Sequence, residues 1–194
     1  MLDYDGTLAP FHREREKAIP YPGIRDILEQ IMASGNSRIV IISGRAIADL
    51  IPLLGLRNMP EIWGSHGWER RDQDGSYSIL PASESHLKGL ADADFLIEKM
   101  KFGDYREEKP RGVALHWRGI SEQEVAAIRE FARAELNPIA AACGLDLRYF
   151  DGGLELCVPG KNKGDVVRAI IEESPPNSFF AYLGDDLTDE DAFE

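Results

Sequence analysis

Two cysteines in 194 residues are too few to staple a fold, and Cys143 and Cys157 stand in neither a C-x-x-C pair nor any metal-binding spacing. They read as reduced thiols in or near the core. Basic residues are scarce as well: 22 Lys and Arg face 34 Asp and Glu, a net charge of −12. That balance works against nucleic acid as a partner but leaves room for a local basic pocket that takes one phosphate. Long apolar runs are missing, so no segment is expected to span a membrane. An acidic pair follows the first two residues, which leaves no space for a signal peptide and makes a cytoplasmic protein the default expectation. Repeats and low-complexity tracts are also lacking. What is present is 43% hydrophobic residues, enough for a well-buried core in one domain or two modest ones.

Hydrophobic periodicity organises the chain. Ile24, Ile27, Leu28, Ile31 and Met32 fall at helical spacing between Pro22 and Gly35. Ile39 to Ile42 is a β-branched run typical of a parallel strand covered on both faces. A second helical pattern through Ile47, Leu50 and Ile51 follows, then a short strand at Glu61 to Gly64 and a hairpin signal at Asp74-Gly75. Alternating strand and helix predicts an α/β fold with a parallel sheet. Between about Pro81 and Leu156 the pattern changes. A helix is expected from Ser85 to Lys101, a strand at Gly112 to Trp117, a helix opened by a capping box of Ser121 and Glu124, and a strand pair around Asp151-Gly152-Gly153. This reads as an α+β module inserted into the first domain. The earlier style then returns: a helix from Asn162 to Glu173, an apolar strand at Phe179 to Leu183, and a final helix capped by Thr188.

The chemistry-bearing residues follow the predicted strands, where open α/β sheets bind ligands. Asp3 and Asp5 follow the first, Ser43 the second, and Asp185 and Asp186 the last, with Lys163 opening the helix before it. If Leu2 to Asp5 ends a strand, alternation points Asp3 and Asp5 the same way and Gly6 permits a sharp turn beyond them. Taken alone, the same stretch also serves as a strand running into a polar turn. Several carboxylates converging on one spot repel unless a cation sits among them, and hard oxygen ligands favour magnesium. Gly160 to Gly164 lacks the Lys-Ser/Thr pair of a phosphate-cradling loop, and His12 and His86 read as surface residues.

Asp3-x-Asp5-Gly6-Thr7, Ser43-Gly44-Arg45, Lys163-Gly164 and Gly184-Asp185-Asp186 resemble, in order, the four motifs of the haloacid dehalogenase superfamily of phosphatases. Longer strings, Leu2 to Pro10, Gly64 to Glu69, Glu155 to Pro159 and Gly184 to Phe193, resemble the trehalose-6-phosphate phosphatases, and the similarity spans nearly the whole chain. The resemblance implies a Rossmannoid parallel-sheet core over residues 1–81 and 158–194 with an α+β cap over 82–157. It implies Asp3 as nucleophile, Asp5 as proton carrier, and Ser43 and Lys163 on the phosphate. Magnesium would be held by Asp3, Asp5 (through its main-chain carbonyl) and Asp185, with Asp186 and Asp189 orienting ligands or waters from further out. Arg45, His66, Lys109, His116, Arg118 and Glu155 would contact the substrate, a small sugar phosphate.

The expected activity is hydrolysis of trehalose 6-phosphate through an aspartyl phosphate. The alternatives are a phosphatase of sucrose phosphate or mannosyl-phosphoglycerate, or a non-catalytic phosphatase-like domain regulating a trehalose phosphate synthase. Only Met1 and Leu2 precede Asp3, and Glu194 falls in the first turn of a helix, so the core is expected to be clipped at both ends and the chain weakly stable or weakly active by itself.

Overall fold

The computed structural model describes residues 1–12, 14–150 and 152–194, and the chain divides into two compact units, Met1–Leu80 with Lys161–Glu194, and Pro81–Gly160. The expected turn residue Asp151 lies outside the described residues.

In the first unit, helix α1 (Ile24–Ser34) runs between two glycines in the left-handed region, Gly23 at φ 86° and Gly35 at φ 69°. Strand β1 (Val40–Ile42) leads into helix α2 (Ile47–Leu54), and β2 (Glu61–Gly64) pairs with β1 in parallel. The β-branched run is explained by burial on both faces. Ile41 joins Tyr4, Leu28, Leu50, Leu54 and Ile62 in one cluster, while Val40, Ile42 and Trp63 point the other way. Strands β3 (Glu69–Arg71) and β4 (Tyr77–Ile79) then add on antiparallel through the Asp74-Gly75 turn, so the expected parallel sheet is mixed, in the order β1-β2-β3-β4.

The second unit opens with α3 (Glu84–Lys99), whose N-cap Ser83 accepts the His86 amide. Strands β5 (Arg106–Lys109) and β6 (Gly112–His116) form a hairpin. Helix α4 (Glu122–Phe131) carries the anticipated Ser121–Glu124 capping box, and a π-helical turn over 132–136 joins it to α5 (Asn137–Cys143). Strands β7 (Asp146–Phe150) and β8 (Gly153–Cys157) complete an antiparallel sheet in the order β5-β6-β8-β7. Val113, Leu115, Leu154 and Leu156 share one face by register and are buried, and α3 packs on β6. Strand β5, of sequence Arg-Glu-Glu-Lys, has no apolar alternation to announce it.

Helix α6 (Lys163–Glu173) returns the chain to the first unit through a capping box of Asn162 and Asp165, and Val166, Val167 and Ile170 cover the Val40, Ile42 and Trp63 face. A single turn over Leu187–Asp189 and the short α7 (Glu190–Phe193) follow. The expected strands at Leu2 to Asp5 and Phe179 to Leu183 are corrected here. Leu2 bridges Ile41 on one side and Leu183 on the other, both parallel, but neither segment forms a regular strand, and Phe179 is fully exposed. The main chain of residues 181 to 183 bonds to Met1 to Asp3, and Tyr182 packs against the Val40, Ile42 and Trp63 cluster, but Phe179, Phe180 and Leu183 stay exposed. The expected Thr188 cap is corrected too: Asp186 caps the turn, accepting both the amide and the hydroxyl of Thr188. No helix among the described residues is long and apolar enough to cross a membrane.

Candidate active site

Asp3 is held where the first segment leaves the sheet, its amide donating to the Leu183 carbonyl at 2.9 Å. The carboxylate is buried. Oδ1 accepts Lys163 Nζ at 2.7 Å, and Oδ2, also buried, has no hydrogen-bond partner among the described residues. Burial pushes the Asp3 carboxyl up to about 6, against the opposing pull of the Lys163 ammonium. Lys163 is the first residue of α6 and is itself buried, with Nζ also 2.7 Å from Asp189 Oδ1. Burial works against its charge, but the two carboxylates outweigh burial and hold its pKa above the ordinary lysine value.

Asp189 has no exposed surface, yet it stays ionised. Burial opposes its charge, and the bonds from Lys163, Tyr182 and the local backbone overcome that, placing its pKa below the usual carboxylate range. Oδ1 accepts Lys163 Nζ and the Tyr182 hydroxyl, and Oδ2 accepts the amides of Asp185 and Asp186 at 3.1 and 3.2 Å. Asp185 is exposed, and burial of its carboxyl together with the nearby Asp186 and Asp189 charges raises its pKa.

One oxygen from each of Asp3, Asp185 and Asp189 lies within 4.8 Å of the others. Since four donors already occupy Asp189, the oxygens left for a cation belong to Asp3 and Asp185. A buried carboxylate with lone pairs to spare beside a second carboxylate is a donor set that suits a small, hard divalent ion. Asp186 and Asp189, both expected to act from further out, are placed differently: Asp186 caps the turn through Oδ1 and lies outside this group, and Asp189 lies within it. Sequence spacing favours adjacent acids, whereas the helical turn carries Asp189 inward and Asp186 outward.

Gly6 stands at φ 93°, and a Cβ there would lie 2.0 Å from Asp185 Oδ2. Gly6→Ala therefore displaces the Asp185 carboxylate and strains the turn. The expected result is a loss of about 1 to 3 kcal/mol in denaturant unfolding, together with weaker cation binding by calorimetry.

Asp5 lies close by but in different company. Both of its oxygens accept from Arg45, Nε to Oδ2 at 2.7 Å and Nη2 to Oδ1 at 2.6 Å. Arg45 is buried, places Nη1 on the Arg15 carbonyl at 2.9 Å, and stacks over the Tyr4 ring at 5.7 Å. The structure thus sets Arg45, expected on the substrate, against Asp5. Ser43, at the end of β1, is buried and accepts the Arg45 amide on Oγ at 3.1 Å. His66 adopts φ 55° and donates its amide to the Ser43 carbonyl at 3.0 Å; a Cβ on Gly44 would sit 2.6 Å from its Nε2. The ring therefore lies against the Ser43-Gly44-Arg45 loop, where a side chain at position 44 would push it aside.

In the second unit, one face of the antiparallel sheet carries the polar residues. Glu107, Ala114, Glu155 and Arg148 form one cross-strand row by register, with Lys109 and His116 on the same face. Lys109 Nζ meets Glu155 Oε1 at 3.0 Å and Glu107 Oε2 at 4.0 Å, and His116 Nε2 meets Glu107 Oε2 at 2.8 Å. Lys109, His116 and Glu155 are thus gathered on one face. Arg118 lies past the end of β6, where a Cβ on Gly152 would come within 2.4 Å of its Cγ. Glu107 was missed by sequence reasoning. It is buried, and its position two residues before Lys109 was the available signal once β5 is taken as a strand. The Cys157 thiol beside them is pushed up to about 12 by burial and is inert at neutral pH.

The family described as trehalose-phosphatase matches residues 1–194. The chain belongs to the trehalose-phosphatase family. Among its relatives, a trehalose-phosphate phosphatase of Mycobacterium ulcerans is 30% identical over 208 residues, covering all of this chain and 50% of the relative. A bifunctional trehalose-6-phosphate synthase/phosphatase of Thermoproteus tenax is 29% identical over 199 residues, of which 26% of its length is covered. The chain therefore spans half or less of these family members. Among solved structures, the C-terminal domain of the C. albicans trehalose-6-phosphate phosphatase superposes with a TM-score of 0.76 at 27% identity, covering 99% of this chain and 70% of that one. A haloacid dehalogenase-like hydrolase of B. subtilis, at 15% identity and a TM-score of 0.60 over 99% of this chain and 85% of that one, shares the fold. The chain thus has the haloacid dehalogenase-like α/β fold.

Proposed function

We propose that the chain is a magnesium-dependent phosphatase that releases trehalose and phosphate from trehalose 6-phosphate. The observation that carries this reading is the buried Lys163–Asp3 pair, which fixes one oxygen of Asp3 and leaves the other, Oδ2, without a partner. Family membership supports trehalose 6-phosphate as the substrate.

Oδ2 of Asp3 attacks the phosphorus atom, and the bond to the sugar oxygen breaks as the aspartyl phosphate forms. Asp5 gives the departing oxygen its proton and later takes one from the water that hydrolyses the intermediate. Arg45 orients Asp5 for both steps, and each carboxylate oxygen of Asp5 keeps a further lone pair for the reacting proton. Lys163 and Ser43 hold the phosphoryl oxygens. Magnesium would be held by Asp185, the main-chain carbonyl of Asp5 and Asp3 Oδ1, which keeps a lone pair beyond the one that Lys163 takes, while Oδ2 stays free to attack. Bound there, it neutralises charge on the transferring group and on the crowded carboxylates.

We assign Met1–Leu80 with Lys161–Glu194 as the catalytic core and Pro81–Gly160 as the cap, with Lys109, His116, Arg118 and Glu155 contacting sugar hydroxyls and Glu107 orienting Lys109 and His116. His66 belongs with the core contacts. Glu155→Gln keeps the shape but removes the charge facing Lys109, so steady-state kinetics are expected to show KM raised about tenfold with kcat changed by less than about threefold.

The test of the overall reading is phosphate release from trehalose 6-phosphate, sucrose phosphate, mannosyl-phosphoglycerate and glucose 6-phosphate, with magnesium and with chelator. Preference for trehalose 6-phosphate that vanishes with chelator is expected. Equal rates on all four, or preference for another, rejects the substrate; no release from any returns the chain to a regulatory role.

A further inference from the structure

Tyr182 has no part in the chemistry assigned above, yet its hydroxyl reaches the centre of it. It donates to Asp189 Oδ1, the same atom that accepts Lys163 Nζ at 2.7 Å. Its ring meets Phe193 of α7 edge-on, with centroids 5.4 Å apart and planes at 85°. The other oxygen of Asp189 is held by the Asp185 and Asp186 amides at 3.1 and 3.2 Å. Four donors from three separate stretches of chain therefore converge on one carboxylate with no exposed surface.

Two donors on each oxygen leave such a group no rotation that does not break at least two charge-assisted bonds. Its orientation dictates where the Lys163 ammonium points, and Lys163 in turn fixes Asp3 Oδ1 at 2.7 Å. It equally dictates where the backbone at Asp185 sits. Two of the four donors are amides of the exposed Asp185-Asp186 segment, and a third is the lysine that must also attend the phosphate. The Tyr182 hydroxyl is the one of the four carried on an aromatic ring wedged against a helix.

We propose that Tyr182 is a positioning residue for phosphoryl transfer, its hydroxyl locking Asp189 so that Lys163 is aimed at Asp3 and the Asp185 main chain is held in place. The proposal rests on the reading of Asp3 and Lys163 given above. Tyr182 touches neither substrate nor the reacting atoms; it acts through Asp189.

Tyr182→Phe keeps the ring and its contact with Phe193 and deletes only the hydroxyl. The expected result is a fall in kcat of about tenfold with KM for the sugar phosphate unchanged within about twofold, because ground-state contacts remain while alignment is lost. In an Asp189→Ala background the same substitution is expected to change kcat by less than about twofold, since the acceptor is gone. Unchanged kcat in Tyr182→Phe, or an undiminished penalty in the double variant, overturns the proposal. So does a lowered melting temperature with full kcat per folded molecule, which is the mark of a packing role alone.

Crystal structures of wild type and Tyr182→Phe give a readout that needs neither turnover nor a folded Asp189→Ala. Lys163 Nζ is expected to lose hydrogen-bond distance to Asp3 or Asp189 in the variant, and an unchanged pair of contacts overturns the proposal. A wild-type protein inactive on every sugar phosphate defeats the functional reading instead, and the two structures still decide the role of Tyr182.

Discussion

Asp3→Asn is expected to reduce phosphate release by about a thousandfold or more while making the metal-free protein less sensitive to pH. The loss of turnover follows from the nucleophile: an amide oxygen in place of Oδ2 cannot form the aspartyl phosphate. The stability effect follows from burial. The folded protein holds the Asp3 proton with a pKa of about 6, against an ordinary value of 3.8. A raised folded pKa means that the stability contributed by this group is fully present below 3.8 and is lost as pH rises through about 6. Above that window the ionised group costs about 3 kcal/mol relative to its protonated form. Calorimetric melts of the metal-free protein between pH 4 and 7 are therefore expected to fall by about 6 °C or more in the wild type beyond any fall in Asp3→Asn. Magnesium, binding only the folded state, is expected to stabilise the wild type at pH 7 and the variant far less. Parallel melting curves for the two proteins across this range contradict the burial argument, whatever happens to activity.

Lys163→Met is expected to lose activity on a similar scale and also to lose stability at neutral pH. Nζ is the shared partner of two buried carboxylates, at 2.7 Å from each. Removing it leaves Asp3 and Asp189 buried and facing one another without a cation between them, and the expected destabilisation is about 3 to 5 kcal/mol. The loss is expected to shrink at pH 5, where Asp3 takes up a proton, and urea midpoints at pH 5 and 7.5 measure the difference. Lys163→Arg is not expected to restore function, since a planar fork does not replace a point charge between two carboxylates. Full stability of Lys163→Met at pH 7.5 with activity lost separates the lysine's chemical role from the buried pair. The contrast between the two variants is diagnostic: similar loss of turnover, but a large loss of stability at neutral pH in Lys163→Met alone.

Much of the fold was legible in the sequence because local and global signals agree. Val40 to Ile42 is β-branched at each position and is covered on both faces. The Ser121–Glu124 capping box and the α6 start at Lys163 follow from side chains that bond their own backbone. The pairing of Asp3 with Lys163, 160 residues apart, has no local signal, and only the order of the motifs suggested it.

Other features depended on what a residue finds across space. Phe179 and Phe180 have strand composition, but a strand needs a neighbour on its flank and a layer on its face, and hydrophobicity records neither. Asp186 and Asp189 are equivalent acids on paper. The turn over Leu187–Asp189 makes one a cap and sends the other into the interior to meet Lys163 and Tyr182. Arg45 was identified as a functional arginine, but the bidentate bond to Asp5 is a fact of loop geometry. Glu107 escaped notice because β5 is polar throughout and its register with β6 had to be seen.

The Asp3 carboxylate, held by Lys163, is expected to become phosphorylated during turnover. Rapid acid quench of the protein with magnesium and trehalose 6-phosphate, followed by peptide mass mapping, tests it directly. The expected result is a phosphoryl group on the N-terminal peptide at Asp3, formed within the first turnover and abolished by Asp3→Asn. A phosphoryl group on another residue, or steady turnover with no phosphopeptide at any quench time, contradicts it.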